Sequence, residues 1–194
     1  MQIVVVQASQ AEPVSLAEAR AYLRVTATSE DSLIEQLVTA ARLRVEETTG
    51  YALGEQRRKL TIERWPCSGV LEIPSPPLLS VQSVKVADFD GVMQTLAAEE
   101  YSVIPGSPGA VCLTGSVPTH YGRPGSVEVV YTCGLGADGG EPIPDNLLVA
   151  IKALTLHLYD MRGLAVAGTT VSTVPASYDF LTASHRYRYR LHLS

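Results

Sequence analysis

Five kinds of feature in this 194-residue sequence have the residue types that chemistry would need. Residues Gly134 to Gly139, "GLGADG", fit G-x-G-x-x-G after an apolar run and before a helical pattern. In a dinucleotide site the third glycine lets the helix pack on the strand, and the helix N-terminus faces the pyrophosphate. Here Gly140, Glu141, Pro142, Ile143 and Pro144 intervene before the helix, and no parallel strand with a ribose-binding acid follows. The expectation is a crossover loop with no cofactor. "DFDG", Asp88 to Gly91, begins like a calcium loop but lacks the later oxygen ligands and the closing Glu, so a hairpin turn is expected. Cys67, Cys112 and Cys133 lie far apart without C-x-x-C, and the histidines at 120, 157, 185 and 192 stand singly. That spacing offers no metal site and no fixed triad. It predicts three buried or half-buried free thiols, and His157 as a hydrogen-bonded core or interface residue. The acidic pairs Glu46/Glu47 and Glu99/Glu100 are expected to be solvated. Finally, "HRYRYRLHLS" ends the sequence on Arg186, Arg188 and Arg190 alternating with Tyr187 and Tyr189. A nucleic-acid grip, a core strand and a docking peptide all suit such a strip.

Composition narrows these readings. Hydrophobic residues make up 46% and charged residues 18%, enough apolar material for a folded core. The last eleven residues hold three of the 15 basic side chains and no acid. The first 183 therefore carry 12 basic against 20 acidic groups, a net −8. Such a body repels a phosphate backbone, which argues against a dedicated DNA- or RNA-binding protein. "MQIVVVQAS" lacks the basic residues and apolar length of a signal peptide, and "LLVAIKALTLHLY" is too short to span a bilayer. The expectation is a cytosolic-type chain with no membrane partner.

The elements that must position these residues follow from periodicity. "PVSLAEARAYLRV" offers Ser15 and Glu18 as a capping box, with Leu16, Ala19 and Leu23 at helical spacing. Residues 28–50 predict a second helix, with acids at its N-terminus, Gly50 as its stop, and a stripe of Leu33, Leu37, Ala40, Ala41 and Val45. From about Arg57 to Cys133 the period becomes two, which predicts a small antiparallel lobe of five to seven strands. "PIPDNLLVAIKALTLHLYDMRG" restores helical spacing, with Leu147, Ile151, Leu154 and Leu158 on one face and Gly163 as its end. Residues 163–178 carry no charged side chain and read either as an ordinary loop or as a segment lying against a neighbouring subunit. A short helix starting at Pro175 follows, with Phe180 and Leu181 as its apolar contacts. The fold class is thus α+β. Residues 1–55 hold the N-terminal helices of a small bundle and 56–135 an inserted antiparallel β lobe. Residues 136–163 hold a loop and the central helix, and 164–194 an extended segment, short helix and basic tail.

In that order the segments resemble a known family. "PVSLAEARAYLRV" with "EDSLIEQLVTAARLRVEETTGYAL" resembles the opening of the phage head-to-tail connector (adaptor) family, also found in phage-derived gene-transfer particles. "IPSPPLLSVQSVKVADFDG" is similar to that family's Pro-Pro strand pair and hairpin. "VVYTCGLGADGGEPIPDNLLVAIKALTLHLYDMRG" resembles its strand, glycine loop and long helix ending in Tyr159-x-x-Arg162. "VPASYDFLTASHRYR" resembles its closing segment, with Phe-Leu where Leu-Leu is usual. The resemblance implies a non-enzymatic virion protein forming a ring, twelve-fold, beneath the portal at the head–tail junction, assembled in the host cytoplasm. Its partners would be the portal protein, neighbouring copies and the next, stopper-type neck protein, with DNA passing through the channel without specific binding. An acidic body suits a channel through which DNA must slide. The alternatives are a β-module binding protein of the tail or baseplate and, more remotely, a nucleotide-binding enzyme.

Under this resemblance the tail becomes a portal-docking element of Phe180, Leu181, Arg186, Tyr187, Arg188, Tyr189 and Arg190. Extended, it would set guanidinium groups on one side and rings on the other, and both residue types favour protein interfaces. Non-specific DNA contact is the rival, since aromatic-basic interleaving also suits single strands. Three further expectations follow. Leu37, Ala41, Ile151 and Leu154 should be buried together. Loops 88–91 and 116–125 should face neighbouring copies or the next neck component. Deleting residues 184–194 should leave a folded chain that no longer binds portal.

Overall fold

The computed structural model describes residues 1–115, 125–138, 140–161 and 176–187. These form two compact units, one from residues 1–10 and 50–141 and one from the described parts of 11–49 and 142–187.

The first unit is built of β-strands, with one 3₁₀ turn at Ala98–Glu100. Its strands are β1 (Gln2–Gln7), β2 (Gln56–Ile62), β3 (Val70–Ile73), β4 (Leu78–Ala87), β5 (Met93–Thr95), β6 (Tyr101–Ile104), β7 (Gly109–Leu113) and β8 (Val127–Cys133). They build an antiparallel five-stranded sheet in the order β1-β2-β8-β4-β5 and a three-stranded sheet β3-β7-β6. The period-two pattern puts Leu60 and Ile62 of β2 opposite Val129 and Val127 of β8, and these meet Val84 and Val86 of β4 on the other side. All six are buried, in one core with Trp65, Leu71, Ile73, Val111 and Tyr131. Residues 2–7, grouped with the helices in the sequence reading, are instead an edge strand. Their run of β-branched residues suits a pleated strand, and its partner is β2, distant in sequence.

The second unit is helical, with α1 (Leu16–Leu23), α2 (Asp31–Thr49), α3 (Asp145–Met161) and α4 (Ala176–Ala183). Ser15 and Glu18 form the expected capping box. A 3₁₀ turn, Thr28–Glu30, leads into α2, which stops before Gly50 at φ 79°. Helix α2 packs on α3, and α1 touches both. On α3 the buried face is Leu147, Ala150, Ile151, Leu154 and Thr155, with Leu158 half-buried. On α2 the buried face is Ile34, Val38, Ala41, Arg42, Val45, Glu46 and Thr49. Of the predicted stripe, Ala41 and Val45 lie on this face, while its first half was one residue out of phase. Leu33 and Leu37 are half-buried and Ala40 is exposed, because the true face admits Arg42 and Glu46, which a hydrophobic pattern skips. Gly163, Arg162 and most of 163–178 lie outside the described residues, as does the loop 116–124.

A candidate docking surface at the C-terminal helix

Local chemistry explains why α4 sits where it does. Tyr178 and Thr182 are four residues apart and share one helix face, and both are buried. The Tyr178 hydroxyl lies 2.9 Å from Thr48 Oγ1 and 3.2 Å from the Arg44 carbonyl, at the last turns of α2. Burial raises its pKa, against the pull of the Thr48 hydrogen bond and the nearby Arg44 charge. Thr182 Oγ1 donates to the Tyr178 carbonyl. Beyond the helix, His185 Nε2 lies 2.9 Å from Asn146 Nδ2 on α3, and the Tyr187 N–H donates to the Thr49 carbonyl at 2.6 Å. The segment 178–187 is thus stitched to the C-terminal end of α2 and the start of α3.

This geometry corrects one expectation. Phe180 is not an apolar contact of the short helix. It stands 83% exposed, while Tyr178 makes the inward contact and Leu181 is half-buried. At 100° per residue, Phe180 points almost opposite to Tyr178. Arg186 is exposed and has an acidic neighbour after all, with its guanidinium 3.5 Å from Asp179. Tyr187 is half-buried. The structure brings Phe180, Leu181, Arg186 and Tyr187 to one helix and its exit. Arg188, Tyr189 and Arg190 lie outside the described residues.

The other chemical candidates have structural explanations. In "GLGADG" the N–H groups of Gly134, Leu135 and Gly136 donate to the carbonyls of Pro77, Ala52 and Glu141, so they are turned to the fold rather than to a phosphate. A Cβ at Gly134 would lie 2.0 Å from the Gly54 carbonyl oxygen, so this glycine serves close strand packing. In the 88–91 turn, Asp88 accepts from the N–H groups of Asp90 and Val92 and from Gln94 Nε2. The Gln94 bond leads in lowering its pKa. Cys67 is exposed rather than half-buried, being in the turn before β3, while Cys112 is intermediate and Cys133 buried. Among the described residues no group of three or more His, Cys, Asp or Glu could hold a metal ion. No helix among them is long and apolar enough to cross a membrane.

One cluster escaped the sequence reading. Glu46 is not solvated. It is buried and receives Arg42 Nη1 at 2.8 Å, while Arg42 Nε reaches Glu12 at 2.8 Å. Burial opposes the Arg42 charge, but its bonds to Glu12 and the field of Glu46 outweigh that and raise its pKa. Glu12 also accepts from Thr39, so the network ties the segment before α1 to α2. It lies beside a cleft of about 440 Å³ lined by Val14, Leu16, Glu35 and Val38. Glu47, Glu99 and Glu100 are exposed, as expected.

The sequence profile of the family described as phage gp6-like head-tail connector protein matches residues 13–103. Curated proteins offer no match. Among solved structures, a chain of the neck of an empty GTA particle, computed with C6 symmetry, is similar at 22% identity with a TM-score of 0.76. Chains from the virion of a native gene transfer agent particle and from its neck computed with C12 symmetry are similar at TM-scores of 0.75 and 0.72. Each likeness is at 22% identity and covers 98% of both chains. Over residues 13–103 the chain carries the sequence pattern of the phage gp6-like head-tail connector family.

Proposed function

We propose that the chain is a structural head–tail connector that forms a ring of copies in the neck of a phage or gene-transfer particle. The observation that carries this reading is the combination of the family match over 13–103 with end-to-end likeness to chains of a particle neck. Its work is mechanical rather than catalytic: it holds a place between the head and the next neck protein and leaves an acidic channel for DNA. A net charge of −5 supports a surface that lets DNA slide. The ring sits beneath the portal at the head–tail junction, twelve-fold, and is built in the host cytoplasm.

The portal contact falls to the C-terminal segment. Phe180 offers an exposed apolar point beside the half-buried Leu181, on a helix held firmly from behind, and Arg186 and Tyr187 lead into Arg188, Tyr189 and Arg190. Because His185 and Tyr187 help to anchor the helical unit, truncation after Tyr187 is a cleaner test than deletion of 184–194. Deleting residues 188–194 should leave the melting temperature unchanged and abolish co-elution with purified portal. Undiminished portal binding by that truncation would refute the docking role. Lost DNA binding with intact portal binding would favour the nucleic-acid reading.

A further inference from the structure

We propose that the ring is closed by sheet edges, with β1 of one copy adding to the β5 edge of the next copy. The inference rests on the ring reading above and assigns its contact surface. Strand β1 is the outer strand of the five-stranded sheet and all six of its residues are exposed. Four successive β-branched residues, Ile3, Val4, Val5 and Val6, are 36% to 55% exposed. Residues 1–10 contain no charged side chain and no proline. Among the described residues no strand pairs with the outer side of β1, and an apolar edge without charged side chains is a template for pairing with another strand. A shift of register between Val5 and Gln7 bends its end, but Gln2–Val5 keep regular pairing to β2.

Two features of the same unit select a second copy as the occupant. First, the charges beside the two edges are opposite in sign: β1 is paired to Arg57, Arg58 and Lys59 of β2, whereas the turn before β5 carries Asp88 and Asp90. Second, the opposite edge of the same sheet supplies the complement. There β5 is only three residues long, and the turn before it bears Phe89 at 76% and Val92 at 56% exposure. Two different edges of one sheet make a head-to-tail contact, which closes into a ring when the rotation per copy allows. A β1–β1 contact would instead be two-fold and stop at a dimer.

The test uses the full chain with Val4→Glu and Val5→Glu together. These positions face Lys59 and Arg58 of β2 across the strand pair, so the carboxylates are tolerated within one copy but stand in the contact. A second variant, Phe89→Ser, alters the other edge. Both should melt like the wild type. In particles made by cells carrying each variant, the chain should fall about tenfold or more by quantitative mass spectrometry, given the cost of unpaired buried charge or lost apolar contact. Mixing the two purified variants leaves one intact edge of each kind, so native mass spectrometry should show heterodimers and nothing larger. Normal incorporation of the double-Glu variant, or no heterodimer in the mixture, overturns the edge contact and leaves the connector reading standing. Absence of the wild-type chain from particles would overturn both.

Discussion

At the residue scale, Glu18 and Arg42 show what a sequence reveals and what it hides. The Ser15–Glu18 box was legible because both partners lie within one turn. The backbone N–H of Ser15, then its hydroxyl, then Lys152 at 3.3 Å hold the Glu18 carboxyl down to about 2. A carboxyl with a folded pKa below its unfolded value adds stability above the unfolded value near 4.5 and loses it as pH falls towards 2. Glu18 is half exposed, so Glu18→Gln should cost only about 1 kcal/mol at pH 7, with the difference from wild type vanishing near pH 2. Thermal melts of both chains across that range check the sign. The Arg42 network was hidden because Glu12 comes from another segment, although Arg42 and Glu46 at i, i+4 were a visible hint. Arg42→Ala takes the guanidinium away from the buried Glu46 and should cost about 3–5 kcal/mol. A loss below 1 kcal/mol in a denaturant titration would contradict that account.

At the scale of elements, the helices were read correctly as objects and one face was misjudged. Periodicity fixed α3 and its buried Ile151 and Leu154, because its inner face is apolar throughout. It misplaced the face of α2, where Ile34 and Val38 are buried and Leu37 only partly so. Ile151→Ala and Leu154→Ala should each cost about 2–5 kcal/mol, and Leu37→Ala clearly less. Equal losses for all three would mean that the α2–α3 contact is wrongly described. For α4 the same distinction separates support from exposed surface. Tyr178→Phe removes a buried hydroxyl's hydrogen bond and should lower stability by about 1 kcal/mol. Phe180→Ala should change it by less than about 0.5 kcal/mol, as at other exposed positions, while weakening binding to portal. Equal binding by both chains in a titration would remove Phe180 from the docking surface.

For the whole molecule, the order of helices and strands was enough to give the α+β class and the resemblance to connector proteins. Strand β1 was missed because a four-residue apolar run has no partner nearby in sequence, and β2, its neighbour, begins 49 residues after β1 ends. The separate three-stranded sheet could not be read either, since local alternation says which residues are strands but not which strands pair. Assembly lies a further step away, in surfaces that only matter once copies meet. A cryo-EM reconstruction of the neck of particles from cells producing this chain tests the central claim most directly. The account predicts a closed ring of this chain between portal and tail, with both units fitting the density. Density for this chain elsewhere in the particle, or intact necks that lack it, would contradict the account.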